Sequence, residues 1–100
     1  MNYNSKKWKR KKEHILRLDG YLDQVELMCG RRREANTVHH IYPAKDYPEY
    51  QFEDWNLLSV SASSHNKLEN RTTGVLTNLG RDIQQNTKPG VNWRANRIKR

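Results

Sequence analysis

His39 and His40 stand side by side at the end of a short β-branched run, Thr37-Val38-His39-His40-Ile41-Tyr42-Pro43. Asn56 opens a second apolar run, Asn56-Leu57-Leu58-Ser59-Val60, and His65 follows the serines of Ser61-Ala62-Ser63-Ser64. Imidazole serves near neutral pH both as a metal ligand and as a base. A metal-dependent phosphodiesterase needs ligands that leave positions open on the metal, a base with a near-neutral pKa, and a group that fixes that base. These residues can supply all three. Neighbouring strand residues point to opposite faces, so His39 and His40 do not share one role; if the strand sits at the edge of a site, one can hold a metal while the other addresses a water. Glu69 falls on the face of His65 if the helix continues, which makes it a candidate additional ligand or a solvent-facing carboxylate. Singly, each residue has an ordinary structural reading as a half-buried strand histidine, a turn asparagine or a surface histidine. Their joint order favours the chemistry.

The elements that must position them are short. Asn36 to Ile41 reads as a strand that Pro43 stops, since proline cannot donate to a ladder. Trp55 to Val60 reads as its partner. The connection contains Asp46, Pro48, Glu49, Glu53 and Asp54, so the hairpin has a long loop. The serines cap a helix through His65 and Leu68 to about Asn70. Upstream, Ser5 caps a basic helix ending at Leu18, with Trp8, Ile15 and Leu16 on one face, and Asp19-Gly20 turns the chain. Tyr21 to Met28 is an irregular segment or a helical turn, and Gly30-Arg31-Arg32-Arg33 a tight basic turn. Thr77 to Gln85 reads as a further helix, weakened by Gly80. From Asn86 a basic tail with Trp93 is expected to be loosely held.

One hundred residues make a single domain. Only 34% of the chain is hydrophobic, which predicts one thin core, expected around Leu22, Val25, Trp55, Leu58 and Val60. The 19 Lys and Arg outnumber the 11 Asp and Glu, for a net charge of +8. Clustered positive charge of that size on a small domain favours a polyanion, and DNA above all. Contacts should go mostly to phosphate, through Arg31, Arg32 and Arg33, the N-terminal lysine run and the tail from Arg94 to Arg100. Trp8 and Trp93 are either base-stacking or core residues. Cys29 is the one cysteine, so neither a disulfide framework nor a four-cysteine zinc site is available. No run is apolar enough for a membrane span and no secretory signal is visible, which predicts a cytoplasmic protein.

Val38-His39-His40-Ile41-Tyr42-Pro43, Trp55-Asn56-Leu57-Leu58-Ser59-Val60 and Ser64-His65-Asn66-Lys67 together resemble the small HNH endonucleases of phages and mobile elements. The resemblance extends from Ile15-Leu16-Arg17-Leu18-Asp19-Gly20-Tyr21 to Leu76-Thr77-Asn78-Leu79-Gly80, and covers most of residues 8–85 of the domain. It implies an α+β fold of the ββα-metal type, a long-looped hairpin and a helix gripping one divalent ion, with flanking helices. By position, His39 and His65 would be metal ligands and His40 the general base. Asn56 would hold the loop and orient His40, and Arg71 is a candidate phosphate contact or simply an exposed arginine. The implied activity is hydrolysis of DNA by nicking or cutting with Mg²⁺, Mn²⁺, Ni²⁺ or Zn²⁺. The rival is a non-catalytic DNA-binding accessory protein, for example in phage packaging. An RNA-binding protein with incidental histidines ranks below both.

One departure is informative. Many members of that family hold a structural zinc with two CxxC pairs, which fall here on Asp23-Gln24-Val25-Glu26 and Ser61-Ala62-Ser63-Ser64. Two serines are poor zinc ligands, so no structural zinc is expected. Packing must hold the domain instead, with a homodimer one way to supplement it. The host would be a bacterial cell.

Overall fold

The structure, a computed structural model, describes residues 1–96. In chain order it has helix α1 (Lys6–Leu18), the short helix α2 (Gln24–Met28), strands β1 (Thr37–His40) and β2 (Leu57–Val60), and helices α3 (Ala62–Leu68) and α4 (Asn78–Gln85). Single 3₁₀ turns occupy Pro48–Tyr50, Asp54–Asn56 and Trp93–Asn96. This is the expected α+β arrangement. No helix among the described residues is long and apolar enough to cross a membrane.

β1 and β2 pair antiparallel, with Thr37 opposite Val60 and His40 opposite Leu57. Cross-strand partners share a face, so this register sorts the hairpin into two sides. Val38 and Leu57 turn toward α1, where Trp8, Ile15, Leu16 and Ala35 complete one apolar cluster. Leu58 and Val60 turn the other way, against Val25, Ile41 and Leu68. The expectation of one thin core is therefore corrected to two, because the hairpin is covered on both faces. Leu22 is only partly buried and forms an isolated bridge with Glu34 rather than a core contact.

Local chemistry sets the ends of the helices. Ser5 Oγ accepts from the Trp8 amide at 3.1 Å and starts α1. Asp19 ends it, and Gly20 follows with a left-handed φ of 62°. The segment read as irregular or as a helical turn is α2, which Asp23 caps. Ser61 Oγ accepts from the Ser64 amide at 3.2 Å and starts α3. α3 stops at Leu68, short of the expected Asn70, because Glu69 is extended and bridges to Leu76. Gly80 costs α4 helix propensity but is needed there: a Cβ on it would stand 2.1 Å from the Leu68 carbonyl oxygen.

The end of the described chain is pinned, contrary to the loosely held tail expected from Asn86 onward. Trp93 Nε1 donates to the Trp55 carbonyl at 2.8 Å. The Arg94 guanidinium donates to Asp19 Oδ1 at 2.8 Å and Oδ2 at 3.0 Å, and to the carbonyls of Asp54 and Leu57. The reason lies at the end of α1. Asp19 is only 3% exposed, and a carboxylate buried there requires a counter-charge. Arg94 therefore leaves the expected DNA footprint; residues 97–100 of that footprint lie outside the described residues.

Candidate metal centre

β1 carries His39 into the face it shares with Leu58, against α3, and leaves it fully buried. His39 Nδ1 lies 3.3 Å from Glu69 Oε1, and the His39 and His65 ring centroids are 5.3 Å apart. His65 Nε2 approaches the same Glu69 oxygen to 2.5 Å. One donor atom from each of His39, His65 and Glu69 lies within 4.8 Å of the others. Neither ring nitrogen of His39 has a hydrogen-bond partner among the described residues.

A buried imidazole without a partner is costly, and a cation between these three donors would remove that cost. Two imidazoles and a carboxylate suit a divalent transition metal. Their protonation states suit it as well. The adjoining His39 and His65 rings hold the Glu69 carboxyl at about 2, so it is ionised. Burial pushes the His39 pKa down and keeps the ring neutral, as a ligand must be. The residues fit a metal.

Glu69 reaches the site by a route that helical periodicity does not describe. It stands past the end of α3 in extended backbone, yet its side chain still folds back onto His65. Beside the three donors opens a cavity of about 380 Å³, lined among others by Thr37, His65, Asn66, Glu69 and Arg71. Arg71, the candidate phosphate contact, is thus exposed on the rim of the same cavity. Arg31 is paired with Glu26 at 2.8 Å, whereas Arg32 and Arg33 are exposed.

His40 lies on the opposite face from His39, as strand alternation requires. Its ring is buried, with Nε2 3.1 Å from the Gln51 carbonyl oxygen. A carbonyl only accepts, so Nε2 carries the proton and Nδ1 holds the lone pair. Burial lowers the His40 pKa against the raising effect of the Gln51 hydrogen bond, and the charges of His39, Glu69 and His65 are also felt there. A neutral imidazole with Nδ1 unprotonated is a base.

Asn56 is fully buried and holds the long loop from three sides. Its Oδ1 accepts from the Tyr42 amide at 2.6 Å, and Nδ2 donates to the carbonyls of Tyr42 and Tyr50, each at 3.0 Å. Asn56 thus bonds the Tyr50 carbonyl, and the next carbonyl, that of Gln51, bonds His40. Sequence reasoning did not find Gln51. A backbone carbonyl contributes through its position alone, and residue type carries no signal of it.

The four positions where the family's cysteines would fall also come together. Asp23 Oδ1 accepts from the amides of Val25 and Glu26 at 2.9 and 3.0 Å, and Oδ2 from that of Ser61 at 2.8 Å. Glu26 is engaged with Arg31. A carboxylate already saturated by amides, a paired glutamate and two hydroxyls do not fit a zinc ion. Hydrogen bonds close this corner.

No family model matches the chain, and no curated protein does. Among solved structures, it is similar to the HNH endonuclease of the deep-sea thermophilic bacteriophage GVE2, crystallised with a manganese ion. The two share 31% identity with a TM-score of 0.62, over 64% of this chain and 70% of the phage protein. With the hairpin, the helix and the His39-His65-Glu69 cluster in place, that likeness assigns the chain to the HNH endonuclease family.

Proposed function

We propose that the chain is a divalent-metal-dependent endonuclease that hydrolyses DNA phosphodiester bonds in a bacterial host, in the service of a phage or mobile element. The observation that carries this reading is the buried, unpartnered His39 facing His65 and Glu69, with His40 held next to it on the strand. His39, His65 and Glu69 would hold the ion beside the cavity that Arg71 lines. A divalent ion bound there supplies positive charge against the phosphorane and the leaving 3′ oxygen.

The protein's own residues do the rest. His40 Nδ1 takes a proton from the attacking water, while Gln51 keeps the ring in the tautomer that can accept it. The new bond forms between the water oxygen and phosphorus, and the bond to the 3′ oxygen breaks. The 3′ oxygen leaves with the bonding electron pair and takes a proton from solvent, so the products are a 5′-phosphate and a 3′-hydroxyl. Arg71 on the cavity rim, with Arg32 and Arg33, would bind backbone phosphates. One site of this kind acts on one strand per event, so nicking is the elementary reaction.

Supercoiled plasmid incubated with the protein and Mg²⁺, Mn²⁺ or Ni²⁺ tests this. Conversion to open-circular DNA is expected, is abolished by EDTA, and falls about 10²–10⁴-fold in His40→Ala. Salt-sensitive DNA binding without cleavage under every metal would overturn it in favour of a non-catalytic DNA-binding protein.

A further inference from the structure

His40 is held on a second side by a residue that the nuclease reading does not use. The Trp8 indole stacks on the His40 imidazole with centroids 5.0 Å apart and planes at 19°. Trp8 is 5% exposed, so this is a packed contact. Phe52 packs against the same cluster, its ring centroid 6.4 Å from that of the indole, and it neighbours Gln51, whose carbonyl bonds His40 Nε2. Tyr3 closes the outer edge, with its ring 5.6 Å from Trp8 and 6.2 Å from His40. Trp8 itself is fixed by the start of α1, where Ser5 Oγ caps its amide, and Lys7 sits 4.1 Å over Phe52.

A hydrogen bond through Nε2 fixes one point of an imidazole and leaves the ring free to swivel about that contact. A flat aromatic face against the ring removes the swivel, and so fixes where the Nδ1 lone pair points. We infer that Trp8 is a positioning residue for His40, which makes the start of the basic helix part of the catalytic apparatus. This inference rests on the nuclease reading. Leucine at position 8 would keep the apolar contact and lose the flat face; phenylalanine would keep both.

The test compares wild type, Trp8→Phe, Trp8→Leu and, as a packing control from the same apolar cluster, Ile15→Val. Plasmid nicking with Mn²⁺ is measured below every thermal midpoint, together with Mn²⁺ affinity by calorimetry. Trp8→Leu should lower kcat about tenfold to a hundredfold, with the KM for DNA and the Mn²⁺ affinity unchanged. Trp8→Phe should recover most of that loss, and Ile15→Val should leave kcat near wild type. An upfield ring-current shift of the His40 ring protons in wild-type NMR spectra should report the stack directly, whether or not the leucine variant folds. Equal kcat in wild type and Trp8→Leu, a loss not recovered by phenylalanine, or an unshifted His40 ring would overturn the inference while leaving the nuclease reading standing. Wild type that nicks under no metal overturns both.

Discussion

A buried histidine stays neutral unless something stabilises its charge, and at His40 burial outweighs the Gln51 hydrogen bond. Its pKa therefore lies below the ordinary histidine value near 6.5. A base acts in its neutral form, so at saturating metal the nicking rate should already be on its plateau at neutral pH. It should fall only as pH drops below about 6.5. A rate–pH profile still climbing steeply between neutral pH and the alkaline range would contradict this. Glu69 contributes differently. Its carboxylate holds one oxygen near both His39 and His65, and Glu69→Gln keeps the shape but removes the charge. Calorimetry should show Mn²⁺ affinity reduced by at least about tenfold, the least that losing even an outer partner of a ligand costs, with the fold intact by circular dichroism.

At the scale of elements, the corner between α2 and α3 depends on one carboxylate. Asp23 caps α2 and accepts the Ser61 amide that leads into α3. Burial pushes its pKa up, but the Ser61 and Ser64 hydroxyls and the amides of Glu26 and Ser61 outweigh that and hold it low. The sign follows from a depressed folded-state pKa. The contribution to stability is full above the ordinary carboxylate value and is lost as pH falls through the lowered one. Asp23→Ala leaves buried amides without acceptors, so urea unfolding at neutral pH should show a loss of about 3 kcal/mol. Asp23→Asn should lack part of the wild type's stability decline below about pH 4.

Across the whole molecule, the segment from Trp93 fastens α1 to the hairpin. Arg94 and Asp19 form a bidentate pair, and Asp19 Oδ2 also accepts the Ser59 amide at 3.1 Å. Removing one partner of such a pair leaves a buried charge uncompensated. Arg94→Met should therefore cost about 3–5 kcal/mol in denaturant unfolding. Plasmid binding by the variant that remains folded should be little changed, since this arginine faces the interior. A loss of DNA affinity with stability intact would return Arg94 to the DNA-binding surface.

Much of the site was legible because its chemistry is carried by residue type and local order. Histidine beside histidine on a strand, an asparagine at the second strand and a histidine after helix-capping serines dictate which groups can ligate, accept a proton and hold a loop. Alternation on a strand also determined that His39 and His40 face apart. Helix α1 was readable from its Ser5 cap and the spacing of Trp8, Ile15 and Leu16. What only the tertiary structure decided depends on partners distant in sequence or on backbone groups. Gln51 meets His40 through a carbonyl, Trp8 meets it through a stack on a strand far along the chain, and Arg94 meets the Asp19 carboxylate from the other end. Glu69 joins His39 and His65 from beyond the helix that was expected to carry it. Residue type sets what a group can do; its neighbours in space, which local sequence does not encode, set what it does here.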